Sequence, residues 1–339
     1  KLLDKSWKSY FALLKSGGIN NPHPPRFKND KMPVTYMQNA IVHNGCNIRL
    51  ALSKQLKEFM KKEYGIDDNF LNLSNPIFEN ITSIKQIKLY PPDAKGECRC
   101  IVIHEVKERV KKEDNGNYLS IDLGLNNLMT CYSNVSGETF IVGRMYFSIE
   151  RKYLKEIERV QSKWYTAQNK KGVLYPKSSK HIKRLYEKKN NSSSDYLHKI
   201  TREVINYCLK NSINTIVVGD ITGIREDFNK GEVINQKMHS LPFKKLVDML
   251  TYKAEELGIS VICQKEYYTS VCSPLTLSVS SKYATKEKRV KRGIFIDGER
   301  EWNADSVGAY NILRLYGQVS KKEIHMKMIK TPYVVKVAV

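Results

Sequence analysis

The sequence predicts an α/β chain, a mixed sheet flanked by helices, and three observations predict it. Three short runs, Tyr118–Asp122, Leu128–Ser133 and Thr139–Val142, follow one another with turn residues between them, Asn126-Asn127 and Ser136-Gly137. Two long basic helical stretches come next, about Tyr146–Asn169 and Ser178–Lys210, and lead to Thr215-Ile-Val-Val218, a β-branched run of the kind buried in a parallel sheet. A third group closes the series. Phe243–Leu257 reads as a helix stopped by Gly258, Ile259–Gln264 as a strand, and Asn303–Tyr316 as a final helix.

The element order is therefore β-β-β-α-β-α-β-α, which matches an RNase H-like (RuvC) mixed sheet flanked by helices. Ahead of it, Leu3, Trp7, Tyr10, Phe11 and Leu14 share one face of a helix over Lys1–Ser16, and the Gly-, Asn- and Pro-rich stretch Gly17–Pro25 breaks it. An amphipathic helix is expected around Leu50–Tyr64, and strands at Ile84–Tyr90 and Arg99–Val106. The polar run Lys107–Asn117 reads as a linker. At 339 residues the chain has room for about two domains. The expected division is an N-terminal module over 1–111, lacking its natural start because the chain opens on Lys1; its helical and β-barrel, nucleic-acid-binding character is what a family resemblance implies. The α/β domain follows over 117–316 with an insert at 271–302, and then a basic tail over 317–339.

Composition narrows the function. Lys and Arg number 57 against 35 Asp and Glu, a net charge of +22, and such an excess calls for a polyanionic partner, most simply nucleic acid. No run of about 18 apolar residues occurs, so no membrane span is expected. The seven cysteines are odd in number, scattered, and contain no CxxC pair, which argues against a disulfide framework and for a reducing, cytoplasmic (nucleoid-associated) location. Nor do they supply the paired ligands of a zinc ribbon, so no zinc is expected.

Phosphodiester hydrolysis on such a sheet needs carboxylates that hold two Mg²⁺ ions roughly 4 Å apart, because hard divalent ions prefer carboxylate oxygen. Asp122 ends the first strand in Ser120-Ile-Asp-Leu-Gly124, where an unpaired carboxylate would be costly to bury and a cation relieves the cost. Asp305 opens the last helix in Asn303-Ala-Asp-Ser-Val-Gly-Ala-Tyr-Asn311, whose Ala304, Gly308 and Ala309 let a helix lie close on a sheet. Two residues compete for the third place. Asp220 follows Gly219 in the fourth strand, but alternation points it to the other face. Glu266 follows the fifth strand and has the longer arm, and is preferred.

These stretches resemble the TnpB family of transposon-encoded RNA-guided nucleases, relatives of type V CRISPR effectors. The resemblance lies in Ser120–Asn126, Asp195-Tyr-Leu-His-Lys-Ile-Thr201, Ile216-Val-Val-Gly-Asp-Ile-Thr-Gly-Ile224, Glu266-Tyr-Tyr-Thr-Ser270 and Asn303–Asn311, in the family's order over about 200 residues. It implies an RNA-guided, Mg²⁺-dependent DNA endonuclease with Asp122, Glu266 and Asp305 as its acids, a guide RNA from the element's own end, and double-stranded target DNA beside a short transposon-adjacent motif. Gly219 together with Glu266 resembles the branch whose glutamate precedes Tyr-Thr-Ser. Many relatives carry a four-cysteine zinc ribbon after that motif. Here only Cys272 stands there, which resembles members whose insert has lost the metal.

The remaining charge is patterned. Residues 151–189 hold thirteen Lys or Arg and three Glu, with Tyr153, Trp164, Tyr165, Tyr175 and Tyr186 interleaved. Cations neutralise phosphates and aromatics can stack on unpaired bases. Lys163, Trp164, Lys170 and Lys171 are the nucleic-acid contacts expected there, Lys199 is expected on a scissile-strand phosphate, and Arg289, Lys291 and Arg292 on guide RNA or heteroduplex. Two other readings stay open: a nuclease-inactive RNA-guided DNA-binding repressor, and a junction nuclease that needs no RNA.

Overall fold

The computed structural model describes residues 2–17, 21–27, 32–106, 109–220, 241–291 and 293–338. Arg292 and the motif residues 221–224 lie outside the described residues. The chain divides into two compact units, Lys1–Lys107 and Glu108–Val339.

The first unit begins with helix α1 (Leu2–Ser16) and continues through strands β1 (Val34–Met37), β2 (Ile41–Asn44) and β3 (Asn47–Ala51), helix α2 (Lys54–Tyr64), and strands β4 (Phe70–Ser74), β5 (Ser83–Leu89) and β6 (Cys100–Glu105). The predicted helix at Leu50–Tyr64 starts later, because Asn47–Ala51 pairs as a strand and Ser53 caps α2 by accepting a hydrogen bond from Leu56 N at 3.2 Å. The strands form two three-stranded antiparallel ladders, β1-β5-β6 and β2-β3-β4. Ile48, Leu50, Ile84 and Ile87 are buried in the core they share. No ladder closing the two into a barrel occurs among the described residues.

The second unit is built on a six-stranded mixed sheet. Its elements are β7 (Tyr118–Asp122), β8 (Met129–Ser133), β9 (Thr139–Val142), α3 (Tyr146–Lys170), α4 (Lys180–Lys210), β10 (Thr215–Asp220), α5 (Phe243–Glu255), β11 (Ser260–Lys265), β12 (Ile294–Asp297), β13 (Arg300–Asn303), α6 (Ala304–Ser320) and β14 (Tyr333–Val334). The strand order is β11-β10-β7-β8-β9-β14, with β7-β8-β9 antiparallel and the β11-β10, β10-β7 and β14-β9 pairs parallel.

Strand alternation sorts the side chains into two cores. Leu119, Ile121, Ile216 and Val218 face α4 and α5 in the larger one. Tyr118, Tyr132 and Val217 face α6 in the smaller one, with Ala304, Val307, Ala309 and Ile312. Ser120 and Asp122 alternate onto that second face. Ser120 Oγ donates to Ala309 O at 2.6 Å, so α6 is tied directly to the central strand.

Two segments read from the sequence as a linker and a basic tail are docked. The later part of the 107–117 run is pinned by Lys112 N to Gly258 O (2.8 Å), by Asn115 and Asn117 to Ser212 O (2.7 and 3.1 Å), and by Tyr118 OH to Asp114 (2.6 Å). The tail turns back after α6, gives the carbonyls of Lys327 and Lys330 to Tyr132 OH and Thr139 Oγ1 (2.6 Å each), and then adds β14 to the sheet edge.

Candidate active site

Asp122 stands at the end of β7 on the α6 face, and two glycines make room around it. A Cβ on Gly308 would lie 2.5 Å from Asp122 Oδ2. Any side chain there would therefore displace the carboxyl. On the neighbouring strand, a Cβ on Gly219 would lie 1.7 Å from Glu266 Oε1 and 2.9 Å from Ile312 Cδ1. The Glu266 carboxyl thus occupies the space that a side chain at 219 would fill. Although it follows β11 in sequence, it delivers its charge to the end of β10. Asp220 follows Gly219 and alternates to the opposite face.

A strained turn holds Glu266 in place. Tyr268 has φ of 61°, in the left-handed region that an aromatic residue rarely adopts. Buried Asn311 of α6 compensates by donating to Thr269 O at 2.9 Å and Cys272 O at 2.7 Å. Arg314 donates to Ser273 O at 3.0 Å and Asn311 Oδ1 at 2.9 Å. The helix that carries Asp305 therefore also fixes the segment that carries Glu266.

Asp305 sits in the first turn of α6, where Asn303 Oδ1 accepts from Asp305 N and Ser306 N at 3.1 Å each. Its Oδ2 accepts from Asn127 Nδ2 at 2.9 Å, and Asn127 Oδ1 in turn accepts from Arg144 Nε at 3.2 Å. Asn127 is buried, and sequence reasoning missed it by treating Asn126-Asn127 as turn chemistry alone. Its one signal is a carboxamide between Leu125 and Leu128, in a turn that opens from Asp122.

The electrostatics follow from this placement. Burial holds the Asp122 carboxyl well above the usual carboxylate range, the charges of Glu266 and Asp305 raise it further, and Arg289 offsets part of the rise. Burial likewise pushes Glu266 up to about 7; Asp220 adds to the rise and the Thr269 hydroxyl opposes it. Glu266 Oε1 is buried with no hydrogen-bond partner among the described residues. A buried oxygen of that kind is a cost that a bound cation would remove.

The donors are carboxylate oxygens, the kind that suits a hard divalent cation. Among the described residues, no three His, Cys, Asp or Glu side chains already stand together as a finished metal cage. The acids are brought within electrostatic reach of one another, with Asp122 between the other two in its interactions.

The basic residues expected at nucleic acid are distributed differently. Lys163, Lys170 and Lys171 are exposed on α3 and just beyond it, and Lys291 is exposed in the insert. Lys199 pairs with Asp195 at 2.8 Å and lines a cavity of about 560 Å³ with Arg202, Lys253 and Lys336. Arg289 lies against the acids, its guanidinium 3.8 Å from Asp305 Oδ1. Trp164 is half-buried and gives its indole N–H to Lys177 O at 2.9 Å, which makes it a structural strut.

Comparison with known proteins settles the family. Residues 101–225 match the family OrfB_IS605, described as a probable transposase, and residues 243–312 match the Cas12f1-like TNB domain, together more than half of the chain. TnpB-like protein MJ0751 of Methanocaldococcus jannaschii is 27% identical over 179 residues, 51% of this chain and 62% of that protein. The chain belongs to the TnpB family. TnpB-like protein L79 of Acanthamoeba polyphaga mimivirus is 22% identical over 209 residues, 58% of this chain and 40% of its own length. The chain thus aligns with less than two thirds of these TnpB-like relatives. The cryo-EM structure of a Cas12f1–sgRNA–target DNA complex shares the fold at a TM-score of 0.58, with 13% identity over 90% of this chain and 68% of that one. Among the described residues of this TnpB-family chain, no helix is long and apolar enough to cross a membrane.

Proposed function

We propose that this chain is an RNA-guided DNA endonuclease of a transposable element, with an RNase H-like sheet that presents Asp122, Glu266 and Asp305 to a divalent metal. The observation that carries the proposal is the placement of Glu266, whose unpartnered buried oxygen fills the place of a side chain at Gly219 on the strand beside Asp122. A structural or purely binding role gives no reason to set Glu266 and Asp305 beside the buried Asp122 carboxyl, because their charges raise the cost of ionising it. The excess of +22 supports two nucleic-acid partners, a guide RNA and a DNA target. Base pairing would read the sequence while the protein reads backbone shape.

Mg²⁺ held by these carboxylates would supply an activated water and neutralise charge on the leaving oxygen. The protein's own groups do the positioning. Asn127 holds one oxygen of Asp305 while the other faces the Arg289 guanidinium at 3.8 Å, and Arg144 holds Asn127. Thr269 lies 3.5 Å from Glu266 Oε2 and keeps Oε1 turned inward.

The test is cleavage of a plasmid target by protein purified with the RNA that accompanies it from its native locus. Asp122→Asn and Asp305→Asn are each expected to abolish scission while target binding persists. Scission that survives either substitution rejects the acid assignment. Activity unchanged by ribonuclease would point to the RNA-independent junction nuclease. Tight, Mg²⁺-independent binding with no scission by the native chain would point to the repressor. A second prediction concerns positioning. Asn127→Ala is expected to lower the cleavage rate about 10–100-fold, the usual cost of losing an outer hydrogen bond to a metal ligand. The Mg²⁺ concentration for half-maximal cleavage should rise with it, and a variant that titrates like the native chain removes Asn127 from the site.

A further inference from the structure

Helices α3 and α4 pack antiparallel. Glu150 meets Lys189 at 2.8 Å and also Ser193, Tyr153 OH meets Ser192 Oγ at 2.9 Å, and Tyr165 OH meets Ser178 Oγ at 3.3 Å. The sum of paired residue numbers stays nearly constant along the seam, so residues 171–179 form the far tip of a long hairpin. That tip is braced on both sides. Gly172, at φ +80°, turns the chain; Val173 N donates to Gln168 O at 3.1 Å; Trp164 holds the Lys177 carbonyl at 2.9 Å; and the Ser179 hydroxyl caps α4.

The brace presents apolar side chains to water. Leu174 is 85% exposed and Tyr175 is 91% exposed, with Val173 beside them at 40%. Scattered single apolar residues on a surface are ordinary, but adjacent large ones on a fixed turn form a contact point. The surrounding charge selects the partner. From Arg159 to Tyr186 the chain holds eight Lys or Arg and no Asp or Glu. An acid-free cationic collar attracts a polyanion, and an exposed aromatic at its apex offers a face on which a base can stack. Bases inside a duplex are already stacked, so the fit is to unpaired ones.

We propose that the α3–α4 tip is a single-stranded nucleic-acid contact in which Tyr175 stacks on an unpaired base, Leu174 packs beside it, and Lys170, Lys171, Lys177 and Lys180 take the adjoining phosphates. The inference rests on the nucleic-acid reading above but not on catalysis, so binding in EDTA tests it separately. The full chain is titrated into a labelled mixed-sequence single-stranded DNA and into the same strand as a blunt duplex. Leu174→Ser/Tyr175→Ala is expected to weaken single-strand binding about tenfold, the effect of losing one stacked base. Duplex binding should stay within about twofold. Both side chains lie in solvent, so the fold should persist, and melting temperature checks it. Tyr175→Trp is expected to keep the native affinity and to show indole quenching by the single strand. Single-strand affinity that ignores the double substitution, or an equal loss on duplex, overturns the inference. So does a native dimer that the double substitution converts to monomer, which would make the tip a self-association surface. A native chain that binds neither DNA overturns the nucleic-acid reading as well.

Discussion

Glu266→Gln is expected to abolish strand cleavage and at the same time to stabilise the metal-free protein. The loss should reach about 10³-fold or more, because the proposed ligand would supply several kcal/mol of charge stabilisation to the transition state. The gain has a separate origin. Folding takes this carboxyl from its usual 4.5 up to about 7, chiefly through burial. The folded chain therefore holds the proton more tightly than the unfolded chain, so this group favours folding fully below pH 4.5. That contribution is lost as pH rises through 7. Above that pH the native chain carries a buried charge that costs on the order of 3 kcal/mol. Glutamine carries none, so in EDTA at pH 8 the variant should melt several degrees higher, and the difference should shrink toward pH 5. Thermal melts across that range check the sign. A variant that cleaves at the native rate, or Asp220→Asn causing the same loss, moves the third acid elsewhere. The geometry permits a stronger test. Since Glu266 occupies the space above Gly219, Gly219→Asp combined with Glu266→Ala, which vacates that space, relocates the carboxylate to the strand itself. The double variant is expected to recover at least about tenfold over Glu266→Ala alone.

Gly308→Ala is the second large effect, and it separates activity from stability. The added methyl would lie 2.5 Å from Asp122 Oδ2 and 3.2 Å from its Cγ. The helix cannot simply back away, since Ser120 Oγ holds Ala309 O at 2.6 Å and Asn311 is committed to the segment behind Glu266. The carboxyl must turn instead. A displacement of about 1 Å at a reacting centre costs about 10²-fold, and that is the expected fall in cleavage rate. Stability should change little. Overpacking costs about 1–3 kcal/mol, and alanine returns about 1 kcal/mol over glycine within a helix. Near-native melting with a large loss of cleavage is the result to look for. Native-rate cleavage by the alanine variant would show that Asp122 does not need its present orientation.

Much of the second unit was readable from residue pattern. Tyr118–Asp122 and Thr139–Val142 are strands with the predicted bounds, and the two long helices start and stop within about two residues of their periodicity. Such elements carry their own signal, because each buries a face against a large core. The short strands of the first unit, Val34–Met37, Ile41–Asn44 and Phe70–Ser74, were not legible, and neither was the hairpin Ile294–Asp297/Arg300–Asn303. Each is only four or five residues long, half-exposed, and stable only by pairing with a neighbour distant in the chain. Tyr333–Val334 is the extreme case, a two-residue strand that exists because β9 offers an unpaired edge.

The candidate site divides along the same line. Asp122 and Asp305 could be named from local context, since one ends an apolar strand and the other opens a helix of small residues, and both cues lie within a few positions. Glu266 could be proposed but not placed, because its role depends on a missing side chain at Gly219, on a strand that is paired with its own but remote in sequence. Asn127 offered only a carboxamide in its turn and Arg289 only a charge expected at nucleic acid, for they meet Asp305 across 178 and 16 residues of chain. Periodicity and capping report what a segment does with its immediate neighbours. Which charges face one another depends on how sheet and helix close, and that closure is a sum of long-range contacts no short window of residues contains.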